Sequence, residues 1–311
     1  MGGKLSAHPS IGVHRRVFEL PPAQVSAAEN WVAFGSRDPR SAMRAASVCL
    51  VREDAAGVQT YLGYRPGDSP LGSVAFPGGS MEHEDGTDVR WFGPSLRVWA
   101  RKLGILDQKM VRSYIICAIR ELFEETGILL AGTDEQSVAE INDDQEWMSM
   151  RESIAGQDIG FSTFLARRGL GVRTDLLRPI AHWLSPNFAL RRFDTWYFSA
   201  AVPQGQHASL LRSKGRWAAW LSAREVIGKR QSQWLGELVG QHDTVGLRLS
   251  QITTPAVELI LERMAQANGA IAYLSRVRNL GLQHPNLLER DGRYLLEIVS
   301  SEDDADFTRR L

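Results

Sequence analysis

A mixed α/β fold is predicted for this 311-residue chain by three observations. Short β-favouring runs at Ala46 to Arg52 and Gln59 to Tyr64 flank Glu53-Asp54-Ala55-Ala56-Gly57, whose turn chemistry makes the pair a hairpin. Between Val111 and Thr126 the residues Ile115, Ile119, Leu122 and Thr126 recur at intervals of four, three and four, which lines up one helical face. Strand-like runs then return at Leu177 to Leu184 and Phe193 to Val202, the second alternating between two faces.

The remaining elements follow from local signals. Two prolines precede residues 23 to 34, where Val25, Ala28 and Val32 stand at helical spacing, so a first helix is expected before Gly35. A glycine- and proline-rich loop runs from Pro66 to Gly79, and Gly127 supplies the stop after the main helix. A polar, acidic stretch covers Asp134 to Glu152. The tail has a helical segment from Pro255 to Arg278, opened by Thr253-Thr254 with Pro255 at the first helical position and Glu258 placed for a capping interaction. The expected organisation is an N-terminal helical extension over 1–42, a central domain over 43–250, and a C-terminal helical extension over 251–311 packed on it.

Composition narrows the class. With 43% hydrophobic and 23% charged residues the chain is globular, which excludes disorder, collagen and coiled coil. Thirty-six basic residues balance 36 acidic ones, so no global field draws it to nucleic acid or anionic lipid, and neither partner is expected. Cys49 and Cys117 each sit in an apolar run and are expected as buried thiols, which fits a reducing compartment. No apolar signal core and no stretch of 18 apolar residues occurs, so the expected location is cytoplasmic, away from membranes.

The chemistry concentrates in Arg120-Glu121-Leu122-Phe123-Glu124-Glu125-Thr126-Gly127-Ile128. Helical spacing puts Glu121, Glu124 and Glu125 on one face. Two unit charges about 4 Å apart interact by roughly 4 kcal/mol at an effective dielectric near 20, so three carboxylates here call for a proton or a cation. Oxygen-only ligation suits Mg²⁺ or Mn²⁺. A solvated charged face is the plainer reading of such a run taken alone. Upstream, the paired glycines of Phe76-Pro77-Gly78-Gly79 allow close backbone approach.

Together these segments resemble the Nudix box: Gly, five residues, Glu, seven residues, then Arg-Glu-aliphatic-any-Glu-Glu-any-Gly-aliphatic. Arg120 through Ile128 match every specified position of its second half. Trp220-Leu221-Ser222-Ala223-Arg224-Glu225-Val226 resembles the Trp-bearing strand and helix start that close many Nudix domains, so the similarity spans about residues 43 to 230. The resemblance implies a Nudix α/β/α sandwich with a mixed β-sheet.

Two departures stand out. Five residues after Gly79 comes Asp85 where the family usually has Glu, and 34 residues rather than seven separate it from Arg120, an insertion at about 86–112. It carries Trp91, Phe92, Trp99 and the helix-like Leu96 to Leu103, and is read as a flap over its own hydrophobic patch, with a substrate lid as the other reading. The second departure is the lack of any Asp or Glu between Asp194 and Glu225, where many relatives place a further acid. Glu121, Asp194 and His207 are then the candidate bases.

Phe-Pro-Gly-Gly with an acidic pair and a long insertion in the box is similar to the Nudix branch of peroxisomal coenzyme A diphosphatase and its bacterial relatives. Arg191-Arg192-Phe193-Asp194-Thr195 and His182-Trp183-Leu184-Ser185-Pro186 share that similarity. The branch often carries an arginine before the glycines; Gly72 is at the matching distance, but Asp68 occupies the arginine position and Arg65 lies out of register. The resemblance implies hydrolysis of the diphosphate linkage in a nucleoside diphosphate derivative, CoA or acyl-CoA first, with NADH, ADP-ribose and nucleoside diphosphate sugars as alternatives. It implies Glu121, Glu124, Glu125 and the Gly79 carbonyl as ligands of Mg²⁺ or Mn²⁺, with Arg120 orienting a box carboxylate. A non-catalytic ligand sensor on the same fold is the competing class. The expected partner is a small nucleotide substrate, and a homodimer through the C-terminal extension is kept open.

Overall fold

The computed structural model describes residues 13–35, 38–55, 57–66, 72–141, 145–211, 213 and 215–301. Asp68 lies outside them. In chain order the elements begin with β1 (Val13–Glu19), α1 (Val25–Ala33), β2 (Ala42–Asp54), β3 (Gly57–Tyr64), β4 (Val74–Ala75) and β5 (Gly78–Ser80). The insertion contributes β6 (Trp91–Phe92) and α2 (Leu96–Leu103), followed by the long α3 (Gln108–Thr126) and β7 (Ala131–Gly132). Next come α4 (Gln145–Ala155), α5 (Phe161–Arg167), β8 (Gly171–Arg173), β9 (Arg178–Leu184), β10 (Arg192–Ala201) and β11 (Ala218–Ser222). The chain continues through α6 (Ala223–Gly228), α7 (Trp234–Val239), α8 (Leu249–Ile252), α9 (Pro255–Ala265) and α10 (Ala270–Ser275) to β12 (Leu282–Gln283), β13 (Asn286–Arg290) and β14 (Arg293–Ser301).

The central sheet runs β11-β3-β2-β10-β9-β12, with β4 paired to β3 and β5 to β2. It is mixed: β2 and β10 are parallel, while β2 and β3 form the expected antiparallel hairpin. Side chains alternate along β2, so Ala46, Val48 and Leu50 join Ile115, Ile119 and Leu122 of α3 on one face. Ala45, Cys49 and Val51 belong on the other face to a second core that includes Val257, Ile260 and Leu261 of α9. Because both faces are covered, β2 reads as a continuous buried run from Ala45 to Val51 instead of alternating with solvent. The result is an α/β/α sandwich.

The insertion is part of the core. Ser95 caps α2, Gly104 ends it in the left-handed region at φ 68°, and Trp99 is fully buried with its ring edge on Phe198 at 6.2 Å. The Trp99 indole donates to Thr174 Oγ1 at 3.2 Å, and β6 pairs with β8.

Both ends depart from the helical extensions expected for them. The N-terminal segment holds α1 but begins with β1, and the C-terminal helical segment breaks at Gly269 and is followed by three strands. β1, β14 and β13 form a separate antiparallel sheet that buries Phe18, Leu296 and Ile298 against the α9 side. Its hairpin turns on Asp291 and Gly292, both at positive φ (51° and 70°), the two-residue Asp-Gly turn suited to twisted strands. The polar, acidic stretch from Asp134 to Glu152 holds most of α4, and α5 follows it. Among the described residues no helix is long and apolar enough to cross a membrane.

Candidate functional site

The site forms where β5 meets α3. Gly78 and Gly79 pair with Ser47 and Ala46 of β2, which is possible because they lack side chains: a Cβ on Gly78 would stand 2.6 Å from the Ser47 Cα. A Cβ on Gly79 would stand 2.6 Å from Glu121 Oε2, so the glycine leaves the space that the Glu121 carboxylate fills. The Cys117 thiol, one turn earlier on α3, lies 3.7 Å from the Gly79 carbonyl.

Arg120 organises the acids. Its Nη1 donates to Glu121 Oε1 at 2.9 Å and to Glu124 Oε1 at 3.0 Å, and Glu82 lies 3.5 Å away. Its Nε and Nη2 donate to the two oxygens of Asp85 at 2.9 and 3.0 Å, and Nη2 also reaches the Ser80 carbonyl. Arg120, Asp85, Glu121 and Glu124 are all buried. The plainer reading of the run, a solvated charged face, therefore does not hold: β5 and a 3-10 turn at His83–Gly86 cover it. Asp85 sits before the insertion, so the chain can loop out and return without breaking the Asp85–Arg120 pair.

Burial pushes the Asp85 carboxyl up, against the hydrogen bonds and charge of Arg120. Burial also raises Glu121 to about 7; the Arg120 charge opposes this and Glu124 and Glu125 add to it. For Arg120 burial acts downward but is outweighed by Asp85 and Glu121, so the guanidinium holds its proton more tightly than usual.

Three participants were not legible as site residues. Arg65 Nη2 contacts Glu125 at 2.9 Å and donates to the carbonyls of Phe76 and Gly78. Arg151 on α4 is buried and donates from Nε to the Glu124 carbonyl at 2.9 Å and from Nη2 to the Ser209 carbonyl at 2.8 Å, satisfying the C-terminal end of α3. Glu82 supplies a further acid beside Arg120. Arg65 was visible as an arginine close to the glycines; Arg151 and Glu82 had no spacing signal.

Two of the base candidates lie elsewhere. Asp194 meets His182 Nε2 at 2.5 Å and accepts from the Tyr114 hydroxyl, and the His182 ring stacks on Trp196 at 4.2 Å. His207 is exposed in the loop after β10. Of the adjacent arginines, Arg192 is buried and donates to the Ser185 and Arg40 carbonyls and to Asn187 Oδ1, while Arg191 is exposed.

The donor chemistry fits a hard divalent cation: a carbonyl at Gly79, three carboxylates on α3, and a buried Glu121 whose ionised form is incompletely compensated. As the side chains lie, their oxygens are engaged by Arg120 and Arg65. Among the described residues no three His, Cys, Asp or Glu side chains are gathered closely enough to hold an ion.

Neither a protein-family model nor a curated protein matches the chain. Among solved structures it resembles a NUDIX hydrolase from Alicyclobacillus acidocaldarius, at 20% identity and a TM-score of 0.59, over 76% of this chain and 97% of that one. The MutT protein from Bacillus halodurans (13% identity, 84% and 98% covered, TM-score 0.34) and the C. elegans Ap4A hydrolase (14%, 63% and 92%, 0.31) superpose too loosely to carry an argument. The first likeness establishes that the fold is that of a Nudix hydrolase.

Proposed function

We propose that this chain hydrolyses the diphosphate linkage of a nucleoside diphosphate derivative in a divalent-cation-dependent reaction, with CoA or acyl-CoA as the first substrate. NADH, ADP-ribose and nucleoside diphosphate sugars are the alternatives. The observation that carries this reading is the burial of Glu121 between Arg120 and the side-chain-free Gly79, beside Glu124. Burying that much negative charge is costly unless the site has a use for it.

Glu121, Glu124, Glu125 and the Gly79 carbonyl would hold Mg²⁺ or Mn²⁺. When bound, the ion supplies Lewis-acid charge for the phosphate oxygens and lowers the pKa of water. The chain's own contribution is placement. Arg120, locked by Asp85 and the Ser80 carbonyl, fixes the directions of Glu121 and Glu124. Arg65 ties Glu125 to the Gly78 carbonyl, so the glycine pair and the last turn of α3 move together. Of the three base candidates Glu121 is the one within this cluster, and it is assigned to take the proton from the attacking water.

The test is hydrolysis of CoA, acyl-CoA, NADH, ADP-ribose and UDP-glucose with Mg²⁺ or Mn²⁺, with products read by mass and the Glu125→Gln protein as contaminant control. Release of 4′-phosphopantetheine and 3′,5′-ADP supports the CoA assignment; turnover of another member moves the specificity and keeps the chemistry. Nucleotide binding without turnover of any of them would make the chain a ligand sensor.

A further inference from the structure

The segment joining α4 to α5 grips the acid-bearing turn of the site from outside the box. Glu84 Oε1 accepts from the Ser162 N–H at 3.2 Å and from the Ser162 hydroxyl at 2.6 Å, so the turn at His83–Gly86 is pinned to the first turn of α5. Gln157 Nε2 donates to Glu82 Oε1 at 2.8 Å, and the half-buried Glu82 stands 3.5 Å from Arg120 Nη1.

Gln157 is a costly residue at its position. α4 ends in a Schellman motif, with the Asp158 N–H on the Ser153 carbonyl and the Gln157 N–H on the Ile154 carbonyl, both at 2.9 Å. The motif needs a left-handed residue just past the helix, and Gln157 takes that conformation at φ 62°. Glycine is the usual occupant because a Cβ strains this backbone, yet here glycine stands one position early, at Gly156. Among the described residues the other non-glycine at positive φ is Asp291, which belongs to a hairpin turn. A local rule broken beside a site points to a side chain that is needed there.

The need arises at Arg120. Its Nη1 donates to Glu121 and Glu124, two of the acids assigned above to the cation, and to gather round a cation these carboxylates must turn from the guanidinium. That movement strips the acceptors from one edge of a buried charge, which is costly unless another anion replaces them. Glu82 already faces the same nitrogen and needs only a small shift to become its hydrogen-bond partner. We propose that Gln157 is a positioning residue: it holds Glu82 as the reserve counter-ion of Arg120, which lets Glu121 and Glu124 turn to a divalent cation. The proposal rests on the cation-dependent reading above.

The test is Mn²⁺ binding to the full chain without substrate, read by electron paramagnetic resonance, for the parent, Gln157→Gly, Glu82→Gln and the double variant. Gln157→Gly changes no charge, so a long-range field cannot alter its affinity, and it relieves the left-handed backbone. The expected result is an Mn²⁺ affinity weaker by about tenfold, as when other groups that orient metal ligands are removed, with a melting temperature equal to or above the parent's. In the Glu82→Gln background Gln157→Gly should add little, because its effect runs through Glu82. Parent-like affinity in Gln157→Gly, a lowered melting temperature alongside the loss, or an undiminished effect in the Glu82→Gln background each overturns the proposal, while Mn²⁺ binding by the parent keeps the cation reading. A parent that binds no Mn²⁺ at millimolar concentration overturns both.

Discussion

Arg120 and Asp85, 35 positions apart in sequence, meet through two parallel hydrogen bonds of 2.9 and 3.0 Å in a buried pocket. The pair bridges the base of the insertion and connects the loop after Gly79 to the carboxylate-bearing turn of α3. Asp85→Asn removes the charge but leaves Arg120 its contacts with Glu121 and Glu124, so the guanidinium is not left uncompensated. The expected loss is about 1.5–3 kcal/mol, the range for hydrogen bonds to charged groups, and not the full cost of orphaning a buried ion. Urea denaturation measures it; a change within about 0.5 kcal/mol, as at ordinary surface positions, would contradict the arrangement.

The two glycines of β5 predict opposite behaviours. A Cβ on Gly78 meets the backbone of β2 at Ser47, which cannot yield without breaking sheet pairing, whereas a Cβ on Gly79 meets only the end of the Glu121 side chain. Gly78→Ala is expected to lower the melting temperature by several degrees, as about 1 kcal/mol shifts a domain of 150–250 residues by about 2–4 °C. Gly79→Ala should fold with a near-native melting temperature and lose most of its turnover. The reverse order of melting temperatures would refute this.

Glu124→Gln and Glu125→Gln are each expected to keep the fold and lower kcat more than about a hundredfold, equivalent to roughly 2.7 kcal/mol of barrier. Steady-state kinetics with circular dichroism as the fold control decides it. Turnover near the parent level in both variants would remove these carboxylates from the proposed reaction.

Trp99 anchors the insertion by its buried ring and its hydrogen bond to Thr174. Trp99→Ala should cost about 3–5 kcal/mol, and deleting residues 88–108 should yield insoluble protein, because it exposes the α3 face that α2 covers. A soluble, folded deletion whose KM rises while kcat holds would restore the lid reading.

Glu258 on α9 is buried, and burial first, then the Glu262 and Glu19 charges, raise its carboxyl above the usual value of 4.5, with Arg16 and Arg230 opposing. The native state therefore holds this proton at pH values where the unfolded chain has released it. Its contribution is fully present below about pH 4.5 and is lost as pH rises through the raised folded value. Glu258→Gln should flatten this decline, seen as a smaller drop in urea midpoint between pH 4.5 and 7.5. An identical drop in both proteins would show that Glu258 does not titrate differently on folding.

The parts legible in the sequence were those whose signal is local. The expected helix from Val111 to Thr126 lies within Gln108–Thr126, and the expected hairpin lies within Ala42–Tyr64, because periodicity and turn chemistry act over a few residues. Leu96–Leu103 is helical as its pattern suggested. The small sheet was missed for a physical reason: β1 pairs with β14 from the far end of the chain, Val17 opposite Glu297, and nothing within either segment specifies the other. The Asp291-Gly292 turn is itself a local hairpin signal, in a tail whose other local cues point to helix.

At the candidate site the same division holds. Three carboxylates at helical spacing, the glycine pair ahead of them, and Asp85 as the acid standing before the insertion are all written in the local residue order. Folding sets the rest: these acids are buried instead of solvated, Arg120 binds Asp85 across the insertion, and Arg65 and Arg151 reach Glu125 and the end of α3 from distant segments. Helical spacing sets which side chains share a face, but burial and ion pairing depend on what the rest of the chain lays over that face. That covering, by β5, the turn at His83–Gly86 and α4, is fixed by contacts between residues far apart in sequence.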